Sequence, residues 1–198
     1  MKPLSEYSTV RPGLFAWQGY ESAVKCDCSS SALVTSLGLL LIDPIPLAEK
    51  AMEELIAEAS APPAAILLSS ENHQRESITL AERFHIPIFA PEEAGEEIIA
   101  DQRFRSGDPV AGMKSIALPG FARGETAFLH EEVLIFGDAL INLEPEGLRL
   151  LPEKYREDKK QSLRSMTALK ELTPEILLFA HGNPIVQDAS KRLAASLV

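Results

Sequence analysis

The sequence has few cysteines, no long apolar run and no excess of basic residues. Cys26 and Cys28 are its two cysteines, and a disulfide between residues so close together would be strained. Metal sites usually need more such ligands than two. The most apolar run covers residues 37–42, far fewer than the roughly 20 residues that a membrane-spanning helix needs. These shortages argue against a disulfide scaffold and against a membrane protein.

The charge balance bears on partners and compartment. The formal net charge is −10, with the acidic residues spread along the chain, whereas a nucleic-acid binder normally shows a basic patch. The first residues contain no apolar segment typical of a secretory signal. We therefore expect a cytoplasmic protein that binds a small-molecule ligand or substrate and binds neither nucleic acid nor membrane. A homodimer would be ordinary, since two-fold dimers are the commonest oligomers.

Length and composition fit one folded unit. The 198 residues are 45% hydrophobic and 24% charged, which is sufficient for a substantial core without covalent cross-links. No exposed linker divides the chain, so we expect a single domain over residues 1–198.

Short apolar runs alternate with helical patterns along the chain. Residues 32–35 and 39–42 are two apolar runs separated by a turn that contains glycine, which predicts a hairpin. Further strands are predicted at residues 14–20, 64–68, 86–89, 115–118, 126–129, 133–136 and 176–179. Helices are predicted at residues 47–59, 91–101, 153–172 and 187–197, with another that ends near residue 84. Strands in two halves of similar style suggest two sheets covered outside by helices, although a plain α/β arrangement fits these elements equally well.

Five polar segments follow directly on predicted strands, where α/β proteins usually hold ligands. They are Asp43-Pro44, the stretch from Ser69 to Arg75, Pro119-Gly120-Phe121, Gly137-Asp138 and His181-Gly182. In order and spacing these segments resemble the signature segments of the metallo-β-lactamase superfamily, and the resemblance covers nearly the whole chain. It implies a four-layer αββα sandwich of class α/β (α+β). It also implies metal-dependent hydrolysis of esters, thioesters, lactams or phosphodiesters.

Most of the family's metal-ligand positions hold other residues in this chain. The family's first segment reads His-x-His-x-Asp-His, because imidazoles and a carboxylate hold zinc while leaving a position for water. The matching residues here are Ser70, Asn72, Gln74 and Arg75. None of them is a good zinc ligand, and the position of a further histidine is occupied by Phe121.

Two ligand positions keep their chemistry. Asp138 matches the family's bridging carboxylate and His181 its last histidine, but two ligands rarely suffice for tight zinc binding. The leading hypothesis is therefore a divergent member without the usual dinuclear zinc site and without a cofactor. It would bind a small molecule or carry altered hydrolase-like chemistry. Because a buried carboxylate needs a compensating charge, we predict that Arg75 forms an ion pair with Asp138 in place of the metal.

An alternative stays open if the first segment is shifted by one residue. Glu71 and His73 would then face inward, and together with Asp138 and His181 they could hold one zinc, iron or manganese ion. The protein would be a genuine metal-dependent hydrolase acting on an ester or thioester. Without that shift, His73 is simply a residue at the start of a helix.

Overall fold

The structure is a computed structural model that describes residues 1–197. Its larger sheet has seven strands that lie side by side in chain order. They are β1 (Ser8–Arg11), β2 (Leu14–Glu21), β3 (Cys26–Thr35), β4 (Gly38–Ile42), β5 (Pro63–Leu67), β6 (Ile88–Pro91) and β7 (Gln102–Phe104). Strands β1 to β4 are antiparallel to their neighbours, and β4 to β7 run parallel. The antiparallel pair β3–β4 confirms the predicted hairpin.

The second sheet has five strands in the order β14-β11-β10-β9-β8. They are β8 (Pro109–Val110), β9 (Met113–Ala117), β10 (Thr126–His130), β11 (Val133–Phe136) and β14 (Ile176–Phe179). Strands β11 and β14 are parallel, and the other pairs are antiparallel. A separate hairpin that the sequence analysis did not predict consists of β12 (Leu140–Leu143) and β13 (Gly147–Leu150).

The α-helices cover the outer faces of the two sheets. They are α1 (Glu49–Ala59), α2 (Ser77–Phe84), α3 (Lys159–Ser165) and α4 (Ala189–Ser196). Among the described residues, no helix is long and apolar enough to cross a membrane.

The apolar residues of β4 alternate between two cores, because successive side chains of a strand point to opposite faces. Leu39 and Leu41 pack in the cluster that contains Met52 of α1. Leu40 and Ile42 belong to the cluster between the two sheets. Strands that are buried on both faces read as continuous apolar runs, which is why the sequence shows no polar alternation here.

Strand β11 divides its side chains in the same way. Ile135 lies in the core between the sheets, whereas Leu134 and Phe136 lie in a third core with Leu169 and Leu193 of the helical layer. Three stacked cores require four layers, so the αββα sandwich is confirmed.

Two of the predicted helices are wrong. Residues 91–101 contain only the 3-10 turn Glu92–Ala94 before the chain enters β7. Residues 153–172 are not one helix, because α3 begins within them and short 3-10 turns lie on either side. The Asp158 side chain accepts hydrogen bonds from the backbone N–H groups of residues 160 and 161. Such an N-cap fixes where a helix starts, so an earlier start is not compatible with it.

Candidate metal centre

The polar segments after the strands meet at one edge of the sandwich. Asp43 follows β4 and the stretch from Ser69 follows β5, while Asp138 follows β11 and His181 follows β14. The pairs β4–β5 and β11–β14 are both parallel, so each pair delivers its polar residues to the same end of its sheet. The Ser29 N–H donates to the Ala180 carbonyl over 2.7 Å, which brings the two sheet edges together beside His181.

His73 lies in the 3-10 turn Glu71–His73 and is 1% exposed. Its Nδ1 is 2.7 Å from Ser69 Oγ and 3.1 Å from Asp43 Oδ2. Ser69 Oγ is also 2.5 Å from the same Asp43 oxygen, and the Ser69 N–H donates to Asp43 Oδ1 over 2.8 Å. The carboxylate therefore holds a proton on Nδ1, and Nε2 is the nitrogen that a metal could bind after displacing the second proton of the ring.

His181 is held in the same tautomer from the opposite side. Its Nδ1 is 2.9 Å from the carbonyl oxygen of Asp27. A carbonyl only accepts hydrogen bonds, so Nδ1 carries a proton and Nε2 is the nitrogen left for a metal, which must displace the Nε2 proton to bind there. That Nε2 lies 3.2 Å from Asp138 Oδ1.

Asp138 is the common neighbour of both imidazoles. Its Oδ1 faces His73 Nε2 at 3.3 Å and His181 Nε2 at 3.2 Å. Its Oδ2 accepts a hydrogen bond of 2.8 Å from Asn72 Nδ2. Asp138 is 7% exposed, so its charge needs compensation from these neighbours.

The electrostatics of the centre follow from this proximity. Burial alone would lower the pKa of His73, but Asp43 and Asp138 outweigh it and raise that pKa to about 9. Burial likewise opposes ionisation of His181, whereas its hydrogen bond to Asp138 raises its pKa to about 12. The pKa of Asp138 lies well below its ordinary value because the two imidazolium charges overcome the cost of burial. In the absence of a metal the centre therefore holds protons that a cation must displace.

Arg75 does not pair with Asp138, so that prediction is wrong. Its guanidinium donates to three backbone carbonyls, of Ser29 at 2.8 Å, Asp43 at 3.0 Å and Ala180 at 3.3 Å. These carbonyls belong to β3 and to the segments that follow β4 and β14. Arg75 therefore links the ends of these strands through hydrogen bonds. The imidazoles of His73 and His181 lie beside Asp138, where the guanidinium of Arg75 was predicted.

The other positions of the family's ligands have structural roles. Ser70 is buried and accepts a hydrogen bond from the Asn72 N–H. Gln74 exchanges hydrogen bonds with both backbone groups of Ile99. Phe121 is fully buried in the outer core of the second sheet, where its ring offers no ligand atom.

The structure brings together three of the four residues of the shifted arrangement. Among the described residues, His73, Asp138 and His181 form a group whose ligand atoms all lie within 4.8 Å of one another. Glu71 pairs instead with Arg123, at 3.1 Å. Its inclusion in the alternative ligand set is therefore wrong.

Glu125 is a member of this region that the sequence analysis missed. It is 2% exposed, and its Oε1 accepts the backbone N–H of Ala139 over 2.8 Å. Burial, with the charge of Asp138 added, raises its pKa well above the ordinary range. Its position directly before β10 carried no sequence signal of burial.

Cys26 and Cys28 also lie beside the centre, which the sequence analysis did not foresee. Cys26 Sγ is 3.5 Å from His181 Nδ1. Within the described part of the chain, the two sulfurs and a His181 ring nitrogen form a second group of possible ligand atoms, again all within 4.8 Å of one another. Neither cysteine is in a disulfide.

A cavity of about 460 Å³ borders the loop that carries His181, on the side of β2 and β3. Trp17, Tyr20, Asp27 and Gly182 are among its lining residues, whereas His73, Asp138 and His181 are not. The cavity and the imidazole–carboxylate group are therefore neighbours, not parts of one pocket.

The chain combines an αββα sandwich with imidazoles and a carboxylate at its strand ends. The family model of the metallo-beta-lactamase superfamily matches residues 6–197. The chain belongs to this superfamily.

Solved structures show the same fold at low sequence identity. The DIM-1 metallo-β-lactamase exposed to ceftazidime has a TM-score of 0.77 and 12% identity, and the match covers 98% of this chain and 97% of that one. VMB-1 has a TM-score of 0.76 and 11% identity, and the match covers 100% of this chain and 98% of that one. For the metallo-β-lactamase from Pontibacter korlensis the values are 0.73 and 14%, with 97% and 98% covered. No curated protein gave a significant match.

The spacing of the ligand atoms fits a metal ion. Around a tetrahedral zinc ion, with metal–ligand bonds of about 2.0–2.1 Å, nitrogen and oxygen ligands lie roughly 3.4 Å apart. The two distances to Asp138 Oδ1, 3.3 and 3.2 Å, are close to that value. His73 Nε2 is also fully buried without a hydrogen-bond partner among the described residues. A buried polar atom without a partner is costly, so the residues present fit a cation bound between them.

Proposed function

We propose that this protein is a metal-dependent hydrolase with a single-ion centre held by His73, Asp138 and His181. The convergence of two imidazole Nε2 atoms on one carboxylate oxygen, at 3.3 and 3.2 Å, carries the proposal. Three protein ligands with a fourth position left for water or substrate are typical of catalytic zinc sites. The usual dinuclear centre is not part of this proposal, because Ser70, Gln74 and Phe121 supply none of its ligands.

The residues behind the ligands support the same function. Asp43 and Ser69 hold the His73 ring through Nδ1, and the Asp27 carbonyl holds His181 through Nδ1. Hydrogen bonds of this kind fix the tautomer and orientation of metal-binding imidazoles and make them more basic. The ligand side chains are therefore already oriented for binding in the metal-free protein.

The proposed substrate is a small ester or thioester. A bound ion would supply Lewis acidity toward the substrate carbonyl and would lower the pKa of a water molecule. Asn72 holds the outer oxygen of Asp138, which leaves Oδ1 directed at the two imidazoles. The side chains of His181 and Asp138 are 14% and 10% exposed, whereas that of His73 is 2% exposed. A substrate would therefore approach from the His181 side.

Hydrolysis of nitrophenyl esters and acyl thioesters tests the proposal. The metal-free protein should be inactive, and addition of zinc, iron or manganese should restore turnover. His73→Ala should reduce the restored rate by at least about 100-fold, because it removes a metal ligand. The matched control is His130→Ala, at the end of β10 and outside the centre. Equal turnover in both variants, or none with any of the three metals, would overturn the proposal.

A second candidate is a metal-free protein that binds a small molecule in the same region. It is favoured by the way in which His73, His181 and Asn72 already surround Asp138. Such a protein would bind its ligand equally well with and without added metal. The expected cytoplasmic location and the preference for small molecules apply to both candidates and remain proposals.

A further inference from the structure

Cys26 and Cys28 occupy neighbouring positions on one face of β3. Side chains two residues apart on a strand point the same way, so both sulfurs lie on the side opposite to the Asp27 side chain. Cys28 is 6% exposed and Cys26 is half-buried. The backbone of the intervening Asp27 accepts a hydrogen bond from His181, which holds the imidazole beside the two thiols.

We propose that Cys26, Cys28 and Nδ1 of His181 form a second metal site, for a borderline or soft divalent ion such as Zn²⁺. The site shares His181 with the centre of the proposed function, but it uses the other nitrogen of that ring and two sulfur ligands, so an ion bound here takes the place of the Nδ1 proton. Thiolates select ions of this class over Mg²⁺ or Ca²⁺. Two thiolates and a neutral imidazole also balance the charge of a divalent ion.

The interatomic distances support this site. With bonds of about 2.3 Å to sulfur and about 2.0–2.1 Å to nitrogen, sulfur and nitrogen ligands of a tetrahedral ion lie roughly 3.6 Å apart. Cys26 Sγ and His181 Nδ1 are 3.5 Å apart, and all three ligand atoms lie within 4.8 Å of one another. Binding through Nδ1 must replace the hydrogen bond to the Asp27 carbonyl. A metal–nitrogen bond outweighs that loss.

Cobalt titration of the reduced, metal-free full chain tests the site. Sulfur-to-cobalt charge transfer gives a near-ultraviolet absorption band that nitrogen and oxygen ligands do not produce. The unaltered protein should show this band. Cys26→Ser and Cys28→Ser should each reduce its intensity to half or less, since each removes one of two thiolates and leaves two ligands, too few for tight binding. The double variant should lose the band.

The same titration separates this site from the proposed hydrolase centre. His73→Ala should keep the sulfur band, because His73 belongs only to the other ligand group. Conversely, the double cysteine variant should still bind cobalt at the His73 centre. Absence of the band from the reduced, unaltered protein overturns the thiol site. If the band disappears in His73→Ala, the thiol site is not independent of the His73 centre, and the proposal is also overturned. If His73→Ala leaves the total amount of bound cobalt unchanged, that result counts against the hydrolase centre alone.

Discussion

His73 and His181 direct their Nε2 atoms at the same oxygen of Asp138, from ring centroids 6.0 Å apart. The two histidines come from different sheets, one after β5 and the other after β14. Each has its Nδ1 engaged by an oxygen atom of the surrounding protein. The family's ligand pattern is largely absent from the sequence, yet the strand ends still assemble a three-residue ligand group from a histidine at a different position.

Loss of His73 should destabilise the metal-free protein strongly. In His73→Ala the buried Asp43 and Asp138 lose a positive neighbour, and leaving a buried charge without its partner costs about 3–5 kcal/mol. Denaturant unfolding measures this change. His130→Ala should cost clearly less, because half-buried His130 lies at the end of β10 and outside this group of charges. Equal losses in the two variants would show that His73 carries no special charge.

Arg75→Ala should lower stability without abolishing metal binding. The variant loses hydrogen bonds to the carbonyls of Ser29, Asp43 and Ala180. Because hydrogen bonds that involve a charged group contribute about 1.5–3 kcal/mol each and are not additive, we expect a total loss of about 2–4 kcal/mol. Calorimetric unfolding gives the stability and zinc titration gives the affinity. A variant that keeps the parental stability but binds no zinc would show that Arg75 acts in the metal centre and not in holding the strand ends.

The metal-free protein should become less stable as the pH rises from neutral to alkaline. The pKa of His73 is raised from 6.5 to about 9 in the folded state. A group with a raised pKa stabilises the fold fully below its unfolded value, and this stabilisation is lost as the pH rises through the folded value. Unfolding free energies between pH 6.5 and 9 should therefore fall. The slope should be smaller in His73→Ala, and an unchanged slope would assign the pH dependence to other groups.

Glu125→Gln should stabilise the fold at neutral pH relative to the parent. The pKa of Glu125 is raised in the folded state. The free energy of unfolding therefore falls as the pH rises above the ordinary pKa of a glutamate carboxyl. The amide keeps an oxygen to accept the Ala139 N–H and carries no charge. Unfolding free energies measured at pH 5 and at pH 7 should show the gain mainly at the higher pH. A greater gain at pH 5 would contradict the assigned cause.

The sequence predicted the strands better than the helices. Residues 133–136 and 176–179 are strands with the predicted bounds, because runs buried on both faces give a strong apolar signal. The supposed helix at residues 153–172 is interrupted at the Asp158 cap. Its chain also packs tightly on Gly120, where an added Cβ would lie 2.3 Å from the backbone nitrogen of Ser162. Close contacts of this kind depend on tertiary packing that a pattern does not contain.

The candidate site was predicted in part for the same reason. Asp138 and His181 follow strands, so their position at the sheet edge could be read from the sequence. The direction of His73 depends on the 3-10 turn Glu71–His73, and Arg75 has a φ of 39°, in the left-handed region that turns its side chain toward the carbonyls. Cys26 comes near His181 only because β3 lies beside the end of β14. Neither the geometry of the turn nor the contact between the two sheets produces a periodic pattern of apolar residues in the sequence.

Zinc titration of the Cys26→Ser/Cys28→Ser double variant, with and without His73→Ala, tests whether His73, Asp138 and His181 hold a metal ion. The cysteine substitutions remove the thiols, so that any zinc bound reports on His73, Asp138 and His181 alone. We predict one zinc ion per chain by calorimetry, with an affinity that His73→Ala lowers by at least about 10-fold. Affinity should also rise as the pH is raised from neutral toward 9, since zinc must displace a proton from His73, whose pKa is raised to about 9 in the metal-free protein. A chain that binds no zinc, or binds it equally with and without His73, would show that these three residues do not form a metal site.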